Sequence, residues 1–201
     1  MVHFWSSFFA KHKKVEMNDS LLILSNFIKN PKETGAVAPS SKFLTKEIIK
    51  KINFKTSKNI VELGPGLGTF TKPILKKANP DAKLFCFEVN EKFCSYLAKN
   101  IVDERMTIIR AGAENINKNL KKFKIKEVDC IVSGLPFRNF PEHQKRKILD
   151  EVKNSLGSNG RFVLFQYTNG LSKLLESYLS RVSRTFVPIN MPPAFVYVCG
   201  K

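Results

Sequence analysis

Three clusters of residues in this 201-residue chain have types and spacing suited to chemistry. The first is Val61-Glu62-Leu63-Gly64-Pro65-Gly66-Leu67-Gly68, which leaves a β-branched apolar run and opens a helical pattern. Gly64 and Gly66 admit an approach of backbone to ligand that side chains would exclude, at the crevice outside the strand ends of an open α/β sheet. A dinucleotide fingerprint, G-x-G-x-x-G, would place its last glycine at position 69, which is Thr69. The spacing here is G-x-G-x-G after an acid, so a pyrophosphate is not the expected occupant. The alternative is a tight strand-to-helix turn with no ligand.

The second cluster is Glu88, at the end of Leu84-Phe85-Cys86-Phe87-Glu88-Val89 and 20 residues past Gly68. A carboxylate there can accept both hydroxyls of a ribose. Val89 could cover one face of an adenine, and the edge of that base would be read at Ala111-Gly112-Ala113-Glu114. The third cluster, Ser133-Gly134-Leu135-Pro136-Phe137, follows another apolar run. In a parallel sheet its strand end faces the same crevice, so Gly134, Leu135 and Pro136 would wall the reaction centre, or form only a rigid exit from the strand. Arg138 is then in reach of an anionic group, or is plain surface.

The elements that must position these clusters are legible in the hydrophobic rhythm. Apolar runs at Asn59–Leu63, Lys83–Val89, Thr107–Arg110, Asp129–Ser133 and Arg161–Tyr167 predict strands. Helical patterns lie between or after them at Thr69–Lys77, Glu91–Asn100, Glu142–Leu156 and Gly170–Leu179. This alternation predicts a doubly wound α/β sheet with a parallel core. Two consecutive strands, Val182–Ile189 and Phe195–Cys199, predict a terminal antiparallel hairpin. Lys118–Lys126 reads as a lysine-rich surface loop. Before the sheet, a helix is expected near Lys42–Lys51, preceded by one carrying the stripe Leu21, Leu24, Phe27 and Ile28. The organisation is thus an N-terminal helical part, 1–57, and a core, 58–201.

Residues 1–16 form an amphipathic pattern. Phe4, Trp5, Phe8 and Phe9 share one arc of a helical wheel, and Lys11, Lys13 and Lys14 accompany it. That is the make-up of an interfacial membrane helix; a segment packed on the sheet or over the cleft is the alternative. The charge balance agrees with a polyanionic partner. There are 34 Lys+Arg against 17 Asp+Glu, a net +17. Residues 1–58 carry 11 basic and 4 acidic side chains, 59–134 carry 13 and 9, and 135–201 carry 10 and 4, so the excess sits on the flanks. Such a field attracts nucleic acid or an anionic bilayer. No uncharged run free of proline is long enough to span a membrane, and Phe4–Phe9 precedes its lysines, the reverse of a secretory signal. The four cysteines show no CxxC spacing, so no metal site is expected and reduced core thiols in a cytoplasmic protein are.

Together the clusters resemble class I S-adenosylmethionine-dependent methyltransferases, whose seven-stranded sheet ends in an antiparallel strand. Thr34-Gly35-Ala36-Val37-Ala38-Pro39-Ser40-Ser41, the glycine loop, Ser133 to Pro141, and Asn190-Met191-Pro192-Pro193-Ala194-Phe195-Val196-Tyr197 are similar to the bacterial phospholipid N-methyltransferases, a group related to the rRNA adenine dimethyltransferases. The resemblance covers roughly residues 20–200. It implies S-adenosylmethionine held by Glu62, Gly64, Gly66, Glu88, Val89, Ala113 and Glu114, with Gly134, Leu135 and Pro136 beside the methyl. It also implies methylation of phosphatidylethanolamine at the inner face of the membrane, repeated transfer leading to phosphatidylcholine.

Three departures from the relatives bear on that expectation. The RNA enzymes carry Asn-Leu-Pro-Tyr/Phe where this chain has Gly134-Leu135-Pro136-Phe137, so the amide that would hold an adenine amino group is missing. They also carry a helical C-terminal domain, whereas this sequence ends soon after its last strand. Many relatives have Gly-Asp-Ala where this chain has Ala111-Gly112-Ala113, which leaves adenine recognition to backbone or Glu114. Tyr167 is the candidate proton acceptor, with a core-edge role as its alternative, and His143 reads as a solvated helix residue. Arg138 and Arg184 are the candidate cations for a lipid phosphate. The competing functions are an rRNA adenine N6-methyltransferase drawing on the positive field, and a non-catalytic membrane- or RNA-binding module.

Overall fold

The computed structural model describes residues 42–201. Seven strands form one sheet: β1 (Asn59–Leu63), β2 (Lys83–Phe87), β3 (Met106–Ile109), β4 (Val128–Ser133), β5 (Leu156–Gln166), β6 (Ser180–Val187) and β7 (Ala194–Gly200). Their spatial order is β3-β2-β1-β4-β5-β7-β6. The first five are mutually parallel, and β7 runs antiparallel to both β5 and β6. This is the doubly wound sheet with a reversed last strand that the sequence predicts.

The six described α-helices divide between the two faces. On one face lie α1 (Lys42–Lys50), α2 (Thr71–Lys77) and α3 (Glu91–Asn100). Leu44, Ile48, Ile74 and Leu97 of these helices pack on Ile60, Leu84, Cys130, Val132 and Val163. On the other face lie α4 (Ile116–Lys122), α5 (Glu142–Ser155) and α6 (Ser172–Glu176). Ile116, Leu149, Val152 and Leu175 pack there on Val61, Phe85, Ile131, Phe162 and Tyr197. Neighbouring strand residues alternate between the two cores, the period of 2 that a pleated strand imposes. Because both faces are covered, the central strands read as continuous apolar runs rather than as alternating ones.

Two segments differ from the sequence expectation. Lys118–Lys126 is not all loop, since its first part lies in α4. Ile116 and Leu120 are one helical turn apart and fully buried, and Asn119 bonds back to the Asn115 carbonyl at 2.9 Å. The lysines occupy the outer side of that helix, so their density hid the apolar pair. β5 begins at Leu156, well before the expected Arg161: Leu156 pairs with Val128, and after a bulge Arg161 resumes pairing opposite Cys130. Phe4, Trp5, Phe8, Phe9, Lys11, Lys13 and Lys14 lie outside the described residues.

The crevice depends on how β1 meets β4. Asp129 accepts two backbone hydrogen bonds at the start of β1, from the amides of Lys58 and Asn59, both at 2.8 Å. That clamp sets the register Ile60↔Cys130 through Leu63↔Ser133, which brings both strands to their C-terminal ends side by side. Asp129→Ala should therefore lower unfolding stability by about 2–3 kcal/mol, the loss of two hydrogen bonds to a charged acceptor. Urea denaturation would read it, and Asp129→Asn, which keeps one acceptor oxygen, should lose less.

Candidate functional site

At the crevice the chain turns sharply after both central strands. The Gly64 amide donates to the Phe87 carbonyl of β2 and the Gly134 amide to the Leu63 carbonyl of β1, each at 2.9 Å. The two turns touch: a Cβ at Gly134 would stand 3.0 Å from the Gly64 carbonyl oxygen. A side chain at position 134 would need the Gly64 carbonyl to give by a few tenths of an ångström.

Gly66 and Gly68 share a positive φ, +54° and +81°, but for different reasons. A Cβ at Gly68 would stand 2.6 Å from Ile101 Cδ1, so that glycine lets the loop lie on α3. A Cβ at Gly66 would meet nothing within 4 Å. It would project into open space above the loop, where a ligand lying along the backbone would sit.

Glu88 closes the loop from the β2 side. Its Oε2 accepts from the Gly66 amide at 3.1 Å and its Oε1 from the Asn90 amide at 2.9 Å. A carboxylate has about four acceptor positions, so beyond the Gly66, Asn90 and Val89 amides acceptor capacity remains for a hydroxyl donor. Burial raises the Glu88 carboxyl above its ordinary range, and the Asn90 and Gly66 amides oppose that rise. Val89 is exposed beside it, an apolar surface with no apparent structural need. Ala113 is buried, and Glu114 folds its carboxylate over Gly112, receiving the Asn115 side-chain amide at 3.2 Å.

Glu62 lies beneath the loop and is completely buried. Its Oε2 accepts from the Thr71 hydroxyl of α2 at 2.7 Å, with the Cys86 thiol at 3.8 Å. Its Oε1 is buried with no hydrogen-bond partner. Desolvation is the main cause that pushes its carboxyl up to about 7, and the Thr71 hydroxyl pulls the other way. A buried oxygen in this state gains from one further polar partner, an acceptor while the carboxyl keeps its proton and a donor once it is ionised.

The β4 turn is held by polar side chains as well. The Ser133 hydroxyl accepts from the Leu135 amide at 3.2 Å. Gln166, buried at the end of β5, donates through Nε2 to the carbonyls of Leu135 at 3.0 Å and Phe165 at 2.6 Å. Sequence reasoning passed over Gln166; a lone amide closing the apolar run Phe162–Phe165 was the available signal. Tyr167 follows it, partly exposed and edge-on to Phe165, which in turn meets Phe70 edge-on. Burial raises the Tyr167 phenol, so it keeps its proton at neutral pH. Phe137, fully buried against Phe140 and Phe162, anchors the far side of the turn.

The structure thus gathers Glu62, Gly64, Gly66, Glu88, Val89, Gly134, Leu135 and Pro136 at adjoining ends of β1, β2 and β4, with Ala113 and Glu114 beyond β3. Arg138 is exposed in the short helical turn Phe137–Asn139 that leaves this wall. Arg184 is elsewhere. It lies on edge strand β6, with β5 and β7 between it and β4, and its guanidinium sits 5.1 Å from the Phe195 ring centroid. His143 is exposed in α5. No group of three metal-ligating side chains occurs among the described residues.

Residues 39–172 match the family model of ribosomal RNA adenine dimethylase. Over 185 residues, 91% of this chain and 96% of the relative, the sequence is 28% identical to an ornithine lipid N-methyltransferase of Singulisphaera acidiphila. A ribosomal RNA small subunit methyltransferase A of Legionella pneumophila is 32% identical over 77 residues, which are 38% of this chain and 29% of that protein. Among solved structures, a 1,6-didemethyltoxoflavin N1-methyltransferase of Burkholderia thailandensis superposes with a TM-score of 0.66 at 13% identity, over 94% of this chain and 91% of that one.

Two predictions follow from this geometry. Gly68→Ala should cost about 2–3 kcal/mol of stability, from the left-handed backbone plus the clash with Ile101. Gly66→Ala should cost only about 1–2 kcal/mol yet abolish binding of a nucleoside ligand, as calorimetry with S-adenosylhomocysteine would show. The second concerns Glu62. The folded carboxyl holds its proton to about pH 7, whereas its ordinary value is 4.5. The folded state therefore binds more protons in that window, and stability falls as pH rises through it, by about 3 kcal/mol in all. Glu62→Gln should remove that decline, so that variant and wild type diverge progressively between pH 4.5 and 7 in denaturant titrations.

Proposed function

The chain belongs to the ribosomal RNA adenine dimethylase family and is an S-adenosylmethionine-dependent methyltransferase; from that premise we propose that it methylates the amine of phosphatidylethanolamine at a membrane surface. The observation that carries this reading is the β4 turn. At Gly134 there is bare backbone packed on the Gly64 carbonyl, with no side-chain amide to hold the amino group of a base. The span of the relatives supports it. The lipid methyltransferase aligns over nearly its whole length, while the Legionella rRNA methyltransferase aligns over less than a third of its own.

The crevice fits the cofactor. Gly66 leaves open space above the loop, Glu88 keeps acceptor capacity for a ribose hydroxyl, Val89 offers an apolar face, and the orphaned Oε1 of Glu62 calls for one polar partner. When bound, S-adenosylmethionine supplies a methyl on a sulfonium, a leaving group that requires no acid. What remains for the protein is alignment and exclusion of water. Gly134, Leu135 and Pro136 wall the acceptor side, and Gln166 and Phe137 keep that wall from moving. The substrate ammonium must shed a proton before attack. Tyr167, which keeps its own proton at neutral pH, accepts a hydrogen bond from the amine at its oxygen and orients it, and the ammonium proton leaves to solvent water at the exposed edge of the ring. Arg138, beside the wall, is the proposed partner of the lipid phosphate; Arg184, with two strands between it and β4, is not.

Access to a substrate that stays in the bilayer calls for peripheral attachment. No helix among the described residues is long and apolar enough to cross a membrane. The proposed anchor is the amphipathic segment with Phe4, Trp5, Phe8 and Phe9 on one side and Lys11, Lys13 and Lys14 beside them, which would hold the protein at the cytoplasmic face.

Offered labelled S-adenosylmethionine with phosphatidylethanolamine vesicles, ornithine-lipid vesicles and ribosomal RNA, the protein should label phosphatidylethanolamine and leave the RNA unlabelled. Glu88→Ala should weaken cofactor binding by about 2–4 kcal/mol in the same preparation. Label in RNA alone would sink the lipid reading, and label in ornithine lipid alone would move it to that head group.

A further inference from the structure

The hairpin between β6 and β7 has no part in the chemistry described above, yet it stands at the same end of the molecule. Gln166, the last residue of β5, pairs with Phe195, which pairs with Phe186. Residues 188–193 therefore project from the crevice end of the sheet, the end of Gly134–Pro136. Their surface is unusual: Ile189 is 66% exposed, Met191 75%, and Phe186, just below the tip, 53%. These are not loose ends. Asn190 between them is buried, and its amide donates to the Pro192 carbonyl at 2.6 Å, so the tip presents two apolar side chains on a fixed turn.

The hairpin, residues 177–201, contains no acid. Of its cations Arg184 lies in mid-strand behind the tip, while Arg181 and Lys201 lie at the opposite end, where Ser180 pairs with Gly200. Arg184 stacks over the Phe195 ring, and Phe195 lies 5.0 Å from Phe186, centroid to centroid, on the same side of the hairpin. β6 ends at Val187, and at about 3.3 Å per strand residue Arg184 lies about 10 Å behind it. Its guanidinium leans toward the tip over Phe195, so a tip inserted by about 5–10 Å would bring it within reach of lipid phosphates. Exposed apolar side chains at the tip, with a cation and no acid behind them in the hairpin, match the make-up of an edge that enters an anionic bilayer.

We propose that the β6–β7 hairpin is a membrane-docking edge, which inserts Ile189 and Met191 into an anionic bilayer and turns the crevice toward it. The inference rests on the lipid-amine reading for its purpose, though not for its geometry. It is separate from the N-terminal segment, and it gives the enzyme a fixed orientation on the surface rather than mere attachment.

The test uses the full chain and sedimentation with phosphatidylcholine vesicles containing phosphatidylglycerol. Ile189→Asp/Met191→Asp should weaken vesicle binding at least about tenfold. Melting temperature, S-adenosylhomocysteine affinity and turnover of a monomeric short-chain phosphatidylethanolamine should stay unchanged. Arg184→Gln should lose the preference for phosphatidylglycerol over pure phosphatidylcholine. Val102, 94% exposed in the loop between α3 and β3 at the opposite end of the sheet, supplies the control, and Val102→Asp should bind vesicles like wild type. Undiminished binding by a folded double variant overturns the proposal, as does an equal loss in Val102→Asp, or loss of RNA retention with vesicle binding intact. If no lipid is methylated while binding still depends on Ile189 and Met191, the substrate reading falls and the docking edge stands. If vesicle lipid is methylated equally by wild type and double variant, the reverse holds.

Discussion

The contact of two strand ends with no side chain between them is the constraint on which the rest of this structure depends. β1 and β4 run parallel in a register clamped by Asp129, and their exits at Gly64 and Gly134 come so close that a Cβ at Gly134 would stand 3.0 Å from the Gly64 carbonyl oxygen. Parallel strands must leave at the same end, and a doubly wound sheet sends the connections of its two halves to opposite faces. The gap that opens there is unavoidable topology. Its narrowness and shape are the work of glycine.

Around that contact, polar groups are placed where the apolar sheet would otherwise exclude them. Glu88 ties the glycine loop to the end of β2, and Gln166 ties the β4 turn to the end of β5. Each spends buried polar groups on backbone, which fixes both walls of the crevice before any ligand arrives. Glu62 is different, because one of its oxygens is satisfied and the other is not. A carboxyl held up to about 7 in an apolar core is a cost to folding. Such a cost persists where a bound group offsets it, and the loop above is where that group would lie.

The same sheet end carries the surface character of the protein. Its reversed strand pair returns the chain to the crevice side, so the β6–β7 tip and the reaction wall face one direction. For the proposed lipid substrate, head group and protein would meet at a plane, and the hairpin at this sheet end would define one.

Much of this was legible in the residues alone. Apolar runs of strand length, glycines at 64, 66 and 68 after an acid, and a carboxylate closing the second run specify a parallel sheet with a nucleoside crevice, because those signals are local and the backbone rules behind them are strict. Two consecutive strands at the end specify a hairpin for the same reason. What the sequence could not show depends on neighbours distant along the chain. The lysine-rich stretch after Asn115 holds a helix because Ile116 and Leu120 find a core supplied by β2, β4 and α5. Arg184 is kept from the wall by strand order, which puts two strands between them. Gln166 acquires its role only when β5 lies beside the β4 turn, and Glu62 its orphaned oxygen only when α2 covers it. Periodicity is written in one segment at a time; burial and adjacency belong to pairs of segments, and only the folded sheet decides which pairs meet.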